Sequence, residues 1–181
     1  LSPEAAAETR RREIEELGAI EGQIEAMDQK RRDSSIAGPA AMLSSGYTTG
    51  AVALPAKDLT LATYDVPVLA PARSGRPRFM VSRTRPPAEA EHVASELGGE
   101  LVPMGSAGAK AMAIVRGEAE IYLHTGGQYE WDSCAPAAVT IAHGLHVSRI
   151  DGSPMVYNQA DVYMPDLLIC RPEWAERILS Y

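Results

Sequence analysis

From Tyr47 onward, short β-rich apolar stretches alternate with short helix-type stretches, most of them punctuated by glycine, and this alternation constrains the fold more than any other feature of the chain. Residues 50–54 and 59–64, around Lys57-Asp58, predict a hairpin, and 67–77 a proline-rich loop. Strands are predicted at 78–82, 100–104, 119–124, 146–150 and 166–170, and helices at 88–97, 107–115, 132–143 and 173–179. Gly98-Gly99, Gly117 and Gly144 close the first three of those helices. Strands and helices in this order predict an α/β domain over 47–181, with a sheet covered by helices on both faces.

Residues 1–33 predict one amphipathic helix. Ser2 caps it, Glu4 and Glu8 suit its positive end, and Lys30, Arg31 and Arg32 its negative end. Ile14, Leu17, Ile20, Ile24 and Met27 form one apolar stripe, which needs a surface of this chain, of another copy or of a partner chain to cover it. Residues 34–46, rich in Ser, Gly, Ala and Pro, predict a linker.

With 45% hydrophobic and 23% charged residues the chain is globular rather than disordered in composition. A net charge of −7 disfavours nucleic acid or an anionic membrane as main partner. It does not disfavour a phosphorylated small molecule, because a local cation or a metal overrules net charge. Two cysteines at no motif-like spacing, no apolar run long enough to span a bilayer and no leader-like start at Leu1 predict a cytoplasmic protein.

Three stretches carry chemistry. Gly105-Ser106-Ala107-Gly108-Ala109-Lys110 lies between a predicted strand and helix, where small residues expose backbone N–H groups to an anion and Lys110 adds charge. The same residues also make an ordinary tight turn. In Glu130-Trp131-Asp132-Ser133-Cys134-Ala135-Pro136, Asp132 is either a helix cap or a hard oxygen ligand for Mg²⁺. Arg149-Ile150-Asp151-Gly152-Ser153-Pro154 has the composition of a hairpin turn. His92, His124, His143 and His146 fall into no zinc-like pattern, Ser133 and Cys134 lack the marks of an activated nucleophile, and Trp131 is read as core.

In this order, and with Tyr122-Leu123-His124 between them, the three stretches resemble the inositol monophosphatase superfamily, in particular its CysQ-like 3′(2′),5′-bisphosphate nucleotidases. The resemblance runs from about Tyr47 to the end. It implies the carboxy-terminal half of that fold, with a mixed sheet, and a Mg-dependent phosphatase acting on a nucleotide bisphosphate or a sugar or inositol phosphate. Removal of phosphate from adenosine 3′,5′-bisphosphate, in sulfur assimilation, is the activity implied first. Asp132 matches a metal ligand. Gly105, Ser106, Ala107 and Lys110 match substrate-binding positions, and His124 stands where many relatives place an arginine. The family's amino-terminal half also carries a metal-binding Glu and an Asp-Pro-Leu-Asp-Gly-Thr-type loop, and neither is found in this sequence. One carboxylate does not gather a Mg²⁺ cluster, so no catalytic residue is assigned. The chain alone is expected to be nearly inactive, or to serve as a non-catalytic phosphatase-like assembly or partner-binding module.

Overall fold

A computed structural model describes residues 49–181, apart from 65, 67, 68, 70 and 72. The amphipathic helix predicted over 1–33 and the linker over 34–46 lie outside the described residues. Strands β1 (Ala51–Leu54) and β2 (Leu59–Ala62) form the predicted hairpin, pairing Ala51 with Ala62 and Leu54 with Leu59. The turn is a 3-10 segment, Pro55–Lys57, followed by Asp58 in the left-handed region.

A five-stranded sheet follows. Its strands are β3 (Arg78–Ser82), β4 (Glu100–Met104), β5 (Ile121–Tyr129), β6 (His146–Ser148) and β7 (Tyr163–Cys170), in the order β4-β3-β5-β7-β6. β3 runs parallel to β4 and β5, while β7 is antiparallel to β5 and β6, so the sheet is mixed. Helices α1 (Ala88–Glu96), α2 (Ala107–Val115), α3 (Glu130–Ala142) and α4 (Pro172–Leu179) connect the strands and close the chain.

The central strands β3, β5 and β7 are apolar on both sides because both sides are covered, whereas the edge strand β4 has no fully buried residue. Phe79, Val81, Ile121, Leu123, Leu168 and Cys170 pack with Ala90, Val93 and Ala94 of α1 and Ile178 of α4. Met80, Tyr122, Leu167 and Ile169, one residue out of step with these, pack with α2 and α3 and with Leu61 of the hairpin. Small residues let α2 lie close to its neighbours: a Cβ on Gly108 would stand 3.4 Å from Val52 and 3.7 Å from Pro136.

The observed boundaries differ from the predicted ones where local chemistry overrides periodicity. β5 continues five residues past 124 because Gly126 and Gly127, at φ 70 and 74, form a bulge rather than a stop. The register jumps from Thr125↔Asp166 to Gln128↔Met164, so the two glycines stand opposite Pro165, which has no N–H to donate. That pairing also carries β7 back to Tyr163. β6 stops at Ser148, and residues 149–153 form a turn in which Arg149 N–H donates to the Ser153 carbonyl and the Asp151 carboxylate accepts from Ser153. No strand follows that turn until Tyr163, so it opens the long connection between the antiparallel neighbours β6 and β7 rather than forming a tight hairpin turn.

Candidate active site

The carboxyl end of β4 leads into Ser106, which sits at φ 62 and caps α2, its Oγ accepting from Ala109 N–H at 3.3 Å. A non-glycine residue at positive φ is held there by its surroundings. Lys110, one turn into α2, is 4% exposed; its Nζ donates to the Ser106 carbonyl at 3.0 Å and lies 5.1 Å from the centroid of the Tyr122 ring. Burial lowers the Lys110 pKa, and the Asp132 carboxylate opposes the shift.

Asp132 arrives from the other side. The bulged end of β5 delivers Tyr129 to the start of α3, and Asp132 Oδ2 accepts from Tyr129 N–H at 3.0 Å. The first turn of α3 thereby begins at Glu130, two residues before its predicted start. Ser106, Ala107, Trp131 and Asp132, with Val52 and Pro136, line one open groove of about 420 Å³. The expected residues Ser106, Ala107 and Asp132 thus share a surface, built from the N-termini of two helices and the edge of the hairpin.

Gly105, Lys110 and His124 are not among the residues lining the groove. Gly105 ends the approach to α2, and its missing Cβ would stand 3.8 Å from the Arg83 guanidinium. His124, half-buried in β5, has an Nδ1 with no hydrogen-bond partner. Burial lowers its pKa; Lys110 and Arg85 lower it further, against a Gly126 backbone contact and Asp132. In the same strand Gln128 Nε2 donates to the Tyr122 hydroxyl at 2.6 Å, and burial raises the Tyr122 pKa.

Sequence reasoning placed Trp131 in the core, and this is corrected: the ring is 67% exposed. It stacks on Tyr129 with centroids 4.9 Å apart and planes 12° apart. The available signal was its setting between Glu130 and Asp132 at a helix start, where a neighbouring polar pair marks an outward face. Arg83 and Arg85, near Gly105 and Gly127, were also missed.

Asp132 fits one position of a Mg²⁺ shell, since one oxygen is held by Tyr129 and the hard carboxylate suits the ion. Among the described residues, however, no three His, Cys, Asp or Glu side chains come together to hold a metal. The described residues supply one candidate carboxylate, not a metal centre.

The histidines make a stability prediction. His146, like His124, has its pKa lowered by burial. Both stay neutral in the fold at pH values where the unfolded chain protonates them. Stability is therefore full above about pH 6.5, the ordinary histidine value, and falls as pH drops below it toward the folded pKa values. Melting curves between pH 7.5 and 5 should show a falling Tm, shallower in His124→Asn. A Tm that is flat or rises on acidification would contradict this.

Comparison with known proteins adds relatives to this geometry. Residues 73–181 match the inositol monophosphatase family. Over 136 residues the chain is 50% identical to a 3′-phosphoadenosine 5′-phosphate phosphatase of Mycobacterium tuberculosis, a match covering 74% of this chain and 51% of that protein. It is 29% identical over 93 residues to the 3′(2′),5′-bisphosphate nucleotidase CysQ of Escherichia coli, covering 51% of this chain and 38% of that one. In fold it is similar to the inositol monophosphatase of Anabaena (Nostoc), with a TM-score of 0.59 at 16% identity, over 74% of this chain and 57% of that structure. The chain spans about half the length of the curated relatives it matches.

Proposed function

The chain belongs to the inositol monophosphatase family, and from that premise we propose that it forms the carboxy-terminal part of a Mg-dependent phosphatase acting on adenosine 3′,5′-bisphosphate. The observation that carries this reading is the groove in which Asp132 faces the N-terminus of α2. Its support is the 50% identity to proteins named 3′-phosphoadenosine 5′-phosphate phosphatase. In this reading the first N–H groups of α2, capped by Ser106, receive phosphate oxygens, which helix-terminus donors and the helix dipole both favour. Lys110 holds the Ser106 carbonyl from below and places a positive charge behind the anion. Gly105 and Ala107 keep the approach open, and His124, largely neutral, adds a neutral hydrogen-bonding edge rather than a fixed cation. Asp132 contributes one metal ligand, and the remaining carboxylates come from outside the described residues.

The cytoplasm, a place in sulfur assimilation, and self-association or a partner chain belong to the same proposal. A second reading, a phosphatase-like binding module without activity, is favoured by the absence of a three-donor cluster among the described residues. Thermal shift separates the two. Under the first reading adenosine 3′,5′-bisphosphate with Mg²⁺ raises Tm beyond the bisphosphate alone, and Asp132→Asn removes the Mg-dependent increment. Equal shifts with and without Mg²⁺ favour the binding module.

A further inference from the structure

The groove has one wall that phosphate chemistry does not use. Trp131 and Tyr129, 67% and 44% exposed, form a flat two-ring stack beside Asp132. Tyr163 meets Tyr129 edge-on at 6.1 Å and 81°, and its hydroxyl accepts from Gly127 N–H at 3.2 Å, so the stack is braced from the β7 side. The Glu130 carboxylate accepts from Asn158 and Gln159 N–H, which occupies the charge that neighbours the tryptophan. The Asp132 bond to Tyr129 N–H spans the three residues that carry both rings and the carboxylate. Aromatic surface and candidate metal ligand are thus fixed by one cap, at a set spacing.

We infer that the Trp131–Tyr129 stack is the base platform of this site: it takes the planar ring of a nucleoside phosphate and so selects nucleotides over inositol or sugar phosphates. The inference rests on the phosphatase reading above and adds the residues that select its nucleotide substrate. Exposed aromatic faces bind bases by stacking whatever the base, because every base has a π-face, whereas an inositol ring offers none. Trp131 lines the same groove as Ser106 and Asp132, so a nucleoside whose phosphate meets those residues brings its base within reach of the ring. That continuity favours the platform over a surface for another protein.

Trp131 and Trp174 are the only tryptophans, and Trp174 packs on the α1–α4 side of the sheet. The full chain carrying Trp174→Phe therefore reports Trp131 alone. With Mg²⁺ present, adenosine 3′,5′-bisphosphate should quench its fluorescence, while inorganic phosphate and inositol 1-phosphate should not. By calorimetry on the full chain, Trp131→Ala should raise the Kd for adenosine 3′,5′-bisphosphate about tenfold to a hundredfold. Trp131→Phe should restore part of the loss, and inorganic phosphate should bind all forms alike. If the unaltered chain binds the bisphosphate and Trp131→Ala leaves its Kd unchanged, the platform is wrong and the phosphatase reading stands. If Trp131→Ala changes only the oligomeric state, the stack is a contact between copies and the platform is again wrong. No binding of the bisphosphate to the unaltered chain overturns both.

Discussion

Given Mg²⁺ and adenosine 3′,5′-bisphosphate, the isolated chain should release phosphate at no more than a trace rate. In phosphoryl transfer the protein's share of the work is positioning and charge neutralisation. A metal cluster provides both, along with an activated water. The described residues offer Asp132 as a single carboxylate at the groove and no three-donor cluster. Losing the cluster removes several contributions together, so the deficit should amount to many orders of magnitude rather than a partial defect. Phosphate binding through the α2 N-terminus should survive, because backbone donors need no metal. A colorimetric phosphate assay decides it. Robust turnover that vanishes in Asp132→Asn would show that donors outside the described residues, or those of another copy, complete the centre.

Glu120→Ala should be the most damaging single change to stability outside the hydrophobic core. Its carboxylate accepts from Arg78 N–H at 2.8 Å, Nε at 3.2 Å and Nη2 at 2.9 Å, and the residue is 4% exposed. Its backbone adds two more bonds, N–H to the Arg78 carbonyl and carbonyl from Arg171 N–H. One residue thus fastens the beginnings of β3 and β5 to the end of β7. Truncating it takes the hydrogen-bonded counter-charge from the partly exposed Arg78 guanidinium, which keeps the Gly117 carbonyl and the more distant charges of Glu100 and Glu118, a loss of about 1.5–3 kcal/mol. The exposed Lys57–Glu118 pair supplies the control, with an expected change under about 1 kcal/mol in Lys57→Ala. Urea unfolding of the two variants should separate them clearly. Equal midpoints would mean that the Arg78–Glu120 pair contributes no more than a surface contact.

Where hydrophobic runs end at glycine or at a cap, the elements were legible residue by residue: 78–82, 100–104 and 107–115 coincide with β3, β4 and α2. Periodicity failed at Gly126-Gly127 and Pro165, since residues that break isolated strands complement one another across a ladder. Ser106 and Asp132 were legible as residues of chemical interest. Their meeting was expected too, since each stretch follows a predicted strand of an α/β sheet; what was not legible is the strand order, with β4 and β5 on either side of β3, and that Gly105 and Lys110 stand off the groove itself. Trp131 was misplaced because ring size was weighed above the polarity of its two neighbours. The donors that would finish a metal centre were legible neither in the sequence nor among the described residues.

The bulge in β5 sets an unusual condition on mutational drift. No atom lies within 4 Å of where a Cβ on Gly126 would stand, so the position has room for a side chain. Its φ of 70 is nevertheless one that an L-residue adopts only at a cost. A D-amino acid would sit there without complaint from backbone or neighbours. What disfavours most encoded side chains at the position is handedness, not space, as Asp58, Ser106 and Asn158 show by holding a positive φ only under local constraint.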